Sequence, residues 1–578
     1  MKQFDQRKRA QQARLHPLFT LGVLAAGLGA QVSAQAQNPP DAGSLRRQIE
    51  QEQQPQLPAR KAGELVKPGA VNNFLPGATR VQVKAFEFVG NRLMTDAELK
   101  ALAVPWVGKS LDMASLQAVA AAVGQAYRER GWVVRSLLPR QEVKDGIIRI
   151  EIVEARFGKL TDDGTPSGRV SVEQVRAFVQ NRLVHGEAVN TVPLDRGLML
   201  ADDLPGVTVS GRLVQGSQPN ETDLALKITP EPLLVGDVGV DNFGSRSTGN
   251  ARASANLGVN SPFGFGDQAS GSLIHTKGSD FVRADYTAPI GASGLRVGAD
   301  ASWFRYKLVQ GDFQALDSRG DSSALGVHVN YPIIRTRTHN FYIGGAYDHR
   351  RFNNEAQGAT VSNYTVDDLT ATANFNGFDA FGGGGANSLG LSFITSRVNL
   401  NGSPNAQADA SGPNVAGLSF KIRYSLSRQQ VLTEGVSLYA SVVGQMADHN
   451  QDSSEKFYLG GPYGVRAYPA DEGGGSQGTL ANFEVRARLP YNFTASGFYD
   501  WGQVRQNVDN TFPGATTLNR YSLKGAGLSL GWQGPMNLML KATWARRIGS
   551  NPNPTAAGKD QDGSLVRNRF WLSANLPF

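Results

Sequence analysis

The chain contains no cysteine. That absence excludes a disulfide framework, a thiolate metal site and a cysteine nucleophile. Beyond the N-terminus there is no run of roughly 18 apolar residues, so the sequence offers no helical membrane span. The seven histidines are scattered, with no pair at metal-ligand spacing. A formal net charge of +8 looks basic, but residues 1–34 hold five basic side chains (Lys2, Arg7, Lys8, Arg9, Arg14) against Asp5, half of the excess. The remainder is only mildly basic, and charge gives no support for a nucleic-acid partner.

Glycine, by contrast, is abundant, with 66 residues. The chain ends in Phe570-Trp571-Leu572-Ser573-Ala574-Asn575-Leu576-Pro577-Phe578. Phe570, Leu572, Ala574, Leu576 and Phe578 fall on one face of a strand, and Arg569, Ser573 and Asn575 on the other. An apolar-out terminal strand closing on phenylalanine is the pattern of an outer-membrane β-barrel. Residues 1–34 read as a signal peptide, with a basic start, an apolar stretch from Leu18 to Ala30 and a small-residue cleavage site at Val32-Ser33-Ala34. Residues 35–80 are expected to hold a short helix (Asp41 to Gln54, with Leu45 and Ile49 on one face) and a linker.

Residues 81–157 read strand, helix, helix, strand, strand. Thr95 is placed as the N-cap of the first helix, with Glu98 three residues on, and the second helix runs from Ser115 to Arg130. Residues 158–232 repeat the order, with helices from Ser171 and Leu194 and strands at 207–214 and 222–228. Two tandem α+β units of this size suggest docking modules rather than chemistry. From residue 233 the texture changes to sixteen short alternating strands: 234–243, 251–259, 267–276, 280–289, 294–306, 321–333, 339–351, 362–376, 386–398, 415–427, 434–447, 478–489, 494–504, 521–533, 536–546 and 567–578. In one, Ala481, Phe483, Val485, Ala487 and Leu489 point out while Asn482, Glu484, Arg486 and Arg488 point in. An arginine facing hydrocarbon would cost roughly 2–4 kcal/mol, so the inner face must line water. In another, Met536, Leu538, Leu540, Ala542 and Trp544 are assigned to lipid. The expected fold is therefore two α+β periplasmic domains followed by a 16-stranded antiparallel barrel over 233–578.

The longest connection in the barrel, 448–477, contains Gly460-Gly461-Pro462-Tyr463-Gly464-Val465-Arg466-Ala467-Tyr468. Long loops in compact folds are functional or disordered, and an aromatic and β-branched cluster favours function. Two strands later, alternation sends Phe498 and Asp500 inward and Tyr499 and Trp501 to lipid. An inward carboxylate and an arginine on a loop able to enter the lumen are natural partners. The bland readings are a solvated loop arginine and an ordinary lumen carboxylate.

At these residues the sequence resembles the outer-membrane transporters of two-partner secretion, the ShlB/FhaC/HecB-like haemolysin secretion/activation proteins, within the superfamily that includes BamA. Gly464-Val465-Arg466-Ala467-Tyr468 resembles the family's loop motif, with alanine at 467 where glycine is usual. Phe498-Tyr499-Asp500 resembles its strand motif. Leu138-Pro139-Arg140-Gln141 before Gly146 looks like the signature of a first POTRA domain (81–157), and Asp203-Leu204-Pro205-Gly206 like that of a second (158–232). Asp241-Asn242-Phe243-Gly244 resembles the first barrel hairpin. The resemblance implies a pore in outer-membrane lipid that exports one large β-helical haemolysin-, adhesin- or toxin-type partner, with or without activating it. It implies that the POTRA pair captures the partner, by adding a strand to a sheet edge. The leader helix would plug the pore at rest, Arg466 with Asp500 and Glu484 would fix an inward-folded loop, and Phe578 would be the signal read by the barrel-assembly machinery. No cofactor or metal is expected.

Two other functions compete: a BamA-like assembly factor, which usually carries more POTRA units, and a passive porin, which needs no periplasmic domains. Gly527-Leu528-Ser529-Leu530-Gly531 matches the nucleophile elbow of an esterase, but the elbow requires a strand-turn-helix context and Ser529 sits inside an alternating strand. Asp471-Glu472-Gly473-Gly474-Gly475-Ser476 is acidic and glycine-rich but too short for a calcium repeat.

Overall fold

A computed structural model describes residues 39–52, 80–162, 168–311 and 314–578. The expected signal peptide (1–34) and the linker residues 53–79 lie outside the described residues. The chain opens with helix α1 (Ala42–Glu52). The first α+β unit contains β1 (Val81–Gln82), β2 (Ala85–Val89), α2 (Asp96–Ala103), β3 (Ser110–Leu111), α3 (Met113–Glu129), β4 (Val134–Leu137) and β5 (Ile147–Glu154). Thr95 and Glu98 form a reciprocal capping box at the start of α2. The expected strand over residues 81–88 is broken. Val81 and Gln82 pair with β3, while β2 pairs parallel with β5. Tyr127, Leu99, Ile148 and Ile150 centre the core that both helices cover.

The second unit has β6 (Arg156–Asp162), α4 (Val172–Gln180), α5 (Thr191–Asp202), β7 (Val207–Gln215) and β8 (Glu221–Pro230). Helix α5 begins three residues before the expected Leu194, because Asn190 caps it and Pro193 is tolerated in a first turn that needs no intrahelical N–H bond. The units meet through a backbone junction in which Val133 N–H donates to the Val189 carbonyl (3.1 Å) and Val189 N–H to the Ala155 carbonyl (2.9 Å).

The sixteen expected strands form one closed antiparallel barrel. They are β9 (Leu234–Asp241), β10 (Arg252–Asn260), β11 (Gln268–Thr276), β12 (Ser279–Pro289), β13 (Arg296–Lys307) and β14 (Arg319–Arg335). Next come β15 (His339–Ala356), β16 (Ala359–Asp379), β17 (Gly385–Asn399), β18 (Gly417–Val431) and β19 (Val436–Ala447). The last five are β20 (Gln477–Arg488), β21 (Phe493–Arg505), β22 (Arg520–Gln533), β23 (Met539–Arg547) and β24 (Asn568–Pro577). Closure is the condition for crossing hydrocarbon with strands, since every backbone N–H and C=O then finds a partner. One boundary is corrected. Met536 and Asn537 lie in a turn following Pro535, both with left-handed φ (54° and 59°), so Met536 and Leu538 precede β23 rather than facing lipid within it.

β24 closes on β9 over five residue pairs, from Ser573–Asp241 to Pro577–Asp237, the shortest pairing in the barrel. Phe578 extends this seam, exchanging two backbone hydrogen bonds with Gly236 at 2.9 and 3.0 Å. Asn242 ties its other end, accepting from Leu572 N–H (2.8 Å) and donating to the Phe570 carbonyl (2.9 Å).

Candidate functional site

The connection 448–476 between β19 and β20 folds back into the barrel and is fastened to the wall at two places. At its start a turn over Ser453–Glu455 delivers Glu455, almost wholly buried, to Lys421 (2.5 Å), Arg423 (3.2 Å) and Arg350. Three cations on β15 and β18 thus converge on one loop carboxylate. Sequence alternation places those cations on the lumen side but says nothing of where Glu455 goes.

The second fastening is Arg466, 6% exposed. Its Nε donates to Asp500 Oδ2 (2.9 Å), its Nη2 to Asp500 Oδ1 (2.6 Å) and its Nη1 to Glu484 Oε1 (2.7 Å). Its backbone N–H also donates to Asp500 Oδ2, at 3.0 Å. The guanidinium lies over the Phe498 ring, 3.4 Å from its centroid. Asp500 is wholly buried and accepts a further bond from Asn482 Nδ2 (2.9 Å), which also reaches the Gly464 carbonyl (3.2 Å). Glu484 is shared with Arg486 (2.7 Å). A bidentate, stacked arginine surrounded by matched acceptors is the geometry in which a buried ion pair holds.

The loop can turn this tightly because Gly460 and Gly464 pass against the carbonyls of Pro469 and Leu459, where a Cβ would collide. Ala467 needs no glycine. It is absent from the non-glycine residues with positive φ, and its methyl group fits against the bare Cα of Gly525. Val465, Ala467 and Tyr468 are fully buried in a cluster with Leu459, Leu480, Phe498 and Leu523. Arg547 lies over the Tyr468 ring, 4.3 Å from its centroid.

Helix α1 lies inside the lumen. Leu45 and Ala42 pack against Phe304, Tyr306, Phe352 and Tyr364, aromatic rings on the inner wall. Around that contact the bonds are polar: Arg46 Nη2 to Ser302 Oγ (2.9 Å), Ala42 N–H to Asn354 Oδ1 (2.8 Å) and Arg252 Nη1 to Glu52 Oε2 (2.7 Å). The helix also grips the loop. Gln51 and Tyr458 exchange side chain-to-backbone bonds in both directions (2.8 and 3.1 Å), and Ser453 Oγ donates to Asp41 Oδ2 (2.7 Å).

The two α+β signatures have separate positions. In the first unit Gln141 is bonded both ways to the Arg149 backbone (2.7 and 2.8 Å), Leu138 packs on the core after β4 beside Pro139, and Gly146 (φ 73°) turns into β5. In the second, Asp203 is bidentate to Arg335 at the end of β14, both bonds 2.7 Å. Leu204 packs against Gly266 in the turn between β10 and β11, Pro205 follows, and Gly206 (φ 96°) opens β7. This second signature therefore docks the unit on the barrel. In the first hairpin Asp241 pairs with Arg252 (3.0 Å), Phe243 N–H donates to Asp241 Oδ1 (2.8 Å), and Gly244 passes against the Gly249 carbonyl.

One sequence signal resolves as structural, and one side-chain cluster appears only in the fold. Ser529 is in β22 and bonds Thr543 Oγ1 across to β23 (2.8 Å), so no nucleophile elbow forms there. His328 comes between Asp285 (3.7 Å, through Nε2) and Asp300 (3.8 Å, through Nδ1). Its ring nitrogens face different carboxylates, which suits an ion-pair bridge better than a shared coordination point.

A family model, haemolysin secretion/activation protein ShlB/FhaC/HecB, matches residues 220–534, and a POTRA domain of the ShlB type matches 81–155. The heme/hemopexin transporter protein HuxB of Haemophilus influenzae strain 86-028NP is 25% identical over 578 residues, covering 97% of this chain and 99% of HuxB. The solved structure of CdiB from Escherichia coli superposes with a TM-score of 0.67 at 20% identity, covering 90% of this chain and 94% of that one. BamA from Haemophilus ducreyi lacking POTRA domains 1–3 shares the fold at a TM-score of 0.52 and 14% identity, covering 86% and 100%. The chain belongs to the ShlB/FhaC/HecB family of haemolysin secretion/activation proteins: it is an integral outer-membrane β-barrel transporter of two-partner secretion, with POTRA domains in the periplasm.

Proposed function

We propose that this transporter captures one secreted exoprotein in the periplasm through its POTRA pair and passes it unfolded through the barrel. The observation that carries this reading is the lumen itself. It is occupied by two elements, α1 and the 448–476 loop, each held by ion pairs and hydrogen bonds beside its apolar packing. A passive pore has no use for such occupants. Each POTRA sheet leaves edge strands, β2 and β4 in the first and β6 and β7 in the second, on which an extended chain can add a strand. Gly464, Val465, Arg466, Ala467 and Tyr468 act as a finger seated on Phe498, Asp500 and Glu484. Phe578 acts as the assembly signal, read by the barrel-assembly machinery during insertion into outer-membrane lipid.

HuxB carries heme/hemopexin transport in its name, and CdiB is an outer-membrane transporter. On this reading the partner is a large secreted protein of β-helical, TpsA type. Assembly of other barrels, the BamA-like alternative, finds no support in a chain with two POTRA units and full-length likeness to HuxB. The test is co-expression with the product of a neighbouring gene that encodes a large secreted β-repeat protein. Partner protein in the medium with the wild-type chain and its retention in the periplasm with Arg466→Ala support the reading. Equal release with and without the transporter overturns it.

A further inference from the structure

The acidic run Asp471-Glu472-Gly473 is too short on its own to wrap a cation, but the fold brings a second acidic run to it. The connection 548–567, between β23 and β24, carries Asp560-Gln561-Asp562-Gly563. Glu472 accepts from Gln561 N–H and from Asn551 Nδ2 of that connection, both at 2.9 Å. Asn551 Nδ2 also donates to Asp560 Oδ1 (2.9 Å), so one amide spans the two runs. Glu472 and Asp560 are wholly buried, and Asp562 nearly so.

Four carboxylates meet here against two guanidiniums. Arg547 pairs with Asp560, and Arg569 with Asp562 (3.3 Å). Glu472 is held by neutral N–H groups alone among the described residues. Both oxygens of the Asp471 carboxylate are buried with no hydrogen-bond partner among those residues, although the charges of Asp562, Asp560 and Arg569 act on it. Asp471 lines a cavity of about 230 Å³ together with Asn553 and Gln561, whose amides bring neutral oxygens to the same space. Lys456 lines that cavity too, but its charged neighbours are Asp41 and Asp452. A buried carboxylate is paired, protonated or bound to a metal, and two of these four are left without a cation.

We propose that the 471–472 turn and the 551–562 stretch together form a calcium site at the extracellular mouth of the barrel, with Asp471 as its principal ligand and Glu472 and Asp562 supplying charge beside it. Every donor is an oxygen, as a hard cation requires, and a divalent ion balances the two unpaired carboxylates. The ion fastens the outer turn of the inward loop to the last connection of the barrel. Protons discharge the cluster when the ion is absent. The site stands whatever passes through the pore.

The test uses the full chain in a zwitterionic detergent, where no anionic lipid competes for the ion. The protein is stripped with EGTA and dialysed to equilibrium against labelled calcium chloride. One ion per chain should bind, with a dissociation constant on the order of 10⁻⁴ M, in the range of extracellular calcium modules. Proteolysis within 548–567 should slow as the site fills. Asp471→Asn keeps the shape of the side chain and deletes no bond that the folded chain makes. It should weaken binding about tenfold or more, the loss of one charged ligand, with heat resistance in EGTA undiminished. Asp562→Asn should weaken binding as well, which keeps the test intact should either variant assemble poorly. Absence of saturable binding overturns the site, and so does binding that survives both substitutions. Loss of binding on Asp300→Asn instead would place the ion among Asp285, Asp300 and His328 in the lumen and overturn the assignment.

Discussion

The indole N–H of Trp571 donates to the backbone carbonyl of Arg466 across 2.8 Å, in a site where Trp571 is 5% exposed. The last strand of the barrel therefore holds the loop finger by its main chain while Asp500 and Glu484 hold it by its side chain. Trp571→Phe keeps the ring packing and deletes this bond, leaving a buried carbonyl unpaired at a cost of about 1–3 kcal/mol. Export should fall and the loop should become sensitive to added protease, with barrel insertion unchanged; limited proteolysis of intact cells reads the effect.

Arg466→Ala strands Asp500, fully buried, without its cation. Breaking a buried pair from one side costs roughly 3–5 kcal/mol. The expected phenotype is loss of secretion from a barrel that still inserts and resists heat. Arg466→Lys should recover little, because an ammonium cannot reproduce the bidentate contact with Asp500 together with the bond to Glu484 and the stacking on Phe498. A double reversal of Arg466 and Asp500 tests the pair itself, and secretion above either single variant is the expected result.

The outer part of the loop introduces a pH dependence. Burial pushes the Asp471 carboxyl up to about 7, with the nearby charge of Asp562 adding to the shift, and pushes Glu472 up to about 8 against the bonds it accepts from Gln561 N–H and Asn551. Both groups bind protons more tightly in the seated loop than in a freed one. The contact between 471–472 and 551–562 is therefore firmest at low pH and weakens as pH rises from about 4 to about 8. Loop protection measured by proteolysis should decline over that window, and Glu472→Gln should remove the upper part of the decline.

Asp203 and Arg335 fasten the second POTRA unit to the barrel, assisted by the Arg337–Asp195 pair (3.0 Å). These bonds are partly solvated, so Arg335→Ala should cost little stability, on the order of 1 kcal/mol or less. It should nevertheless widen the range of POTRA orientations seen by small-angle scattering and lower export. A combined Asp203→Arg, Arg335→Asp exchange should restore part of both.

Strand number and barrel closure were legible because lipid and water impose opposite demands on alternate residues over 345 positions (234–578). The Arg466–Asp500 pairing was legible for the same reason: parity fixes Asp500 inward, and the motif supplies the cation. Where parity was silent, the sequence was too. Glu455 finds Lys421, Arg423 and Arg350 only through the path of the loop. Trp571 sits on the lumen face of its strand, where a large aromatic among Arg569, Ser573 and Asn575 was itself an unread signal. Met536 was assigned to β23 because its hydropathy continues the alternation, whereas Pro535 and two left-handed residues turn the backbone first. The start of α5 was hidden by Pro193, a breaker inside a helix but acceptable in its first turn.

Occlusion of the lumen by α1 is the claim on which the transport reading turns, and conductance measures it directly. Removal of residues 35–58 from the full chain, followed by single-channel recording in planar lipid bilayers, should raise both conductance and the fraction of time spent open. A trace indistinguishable from that of the intact protein would contradict it.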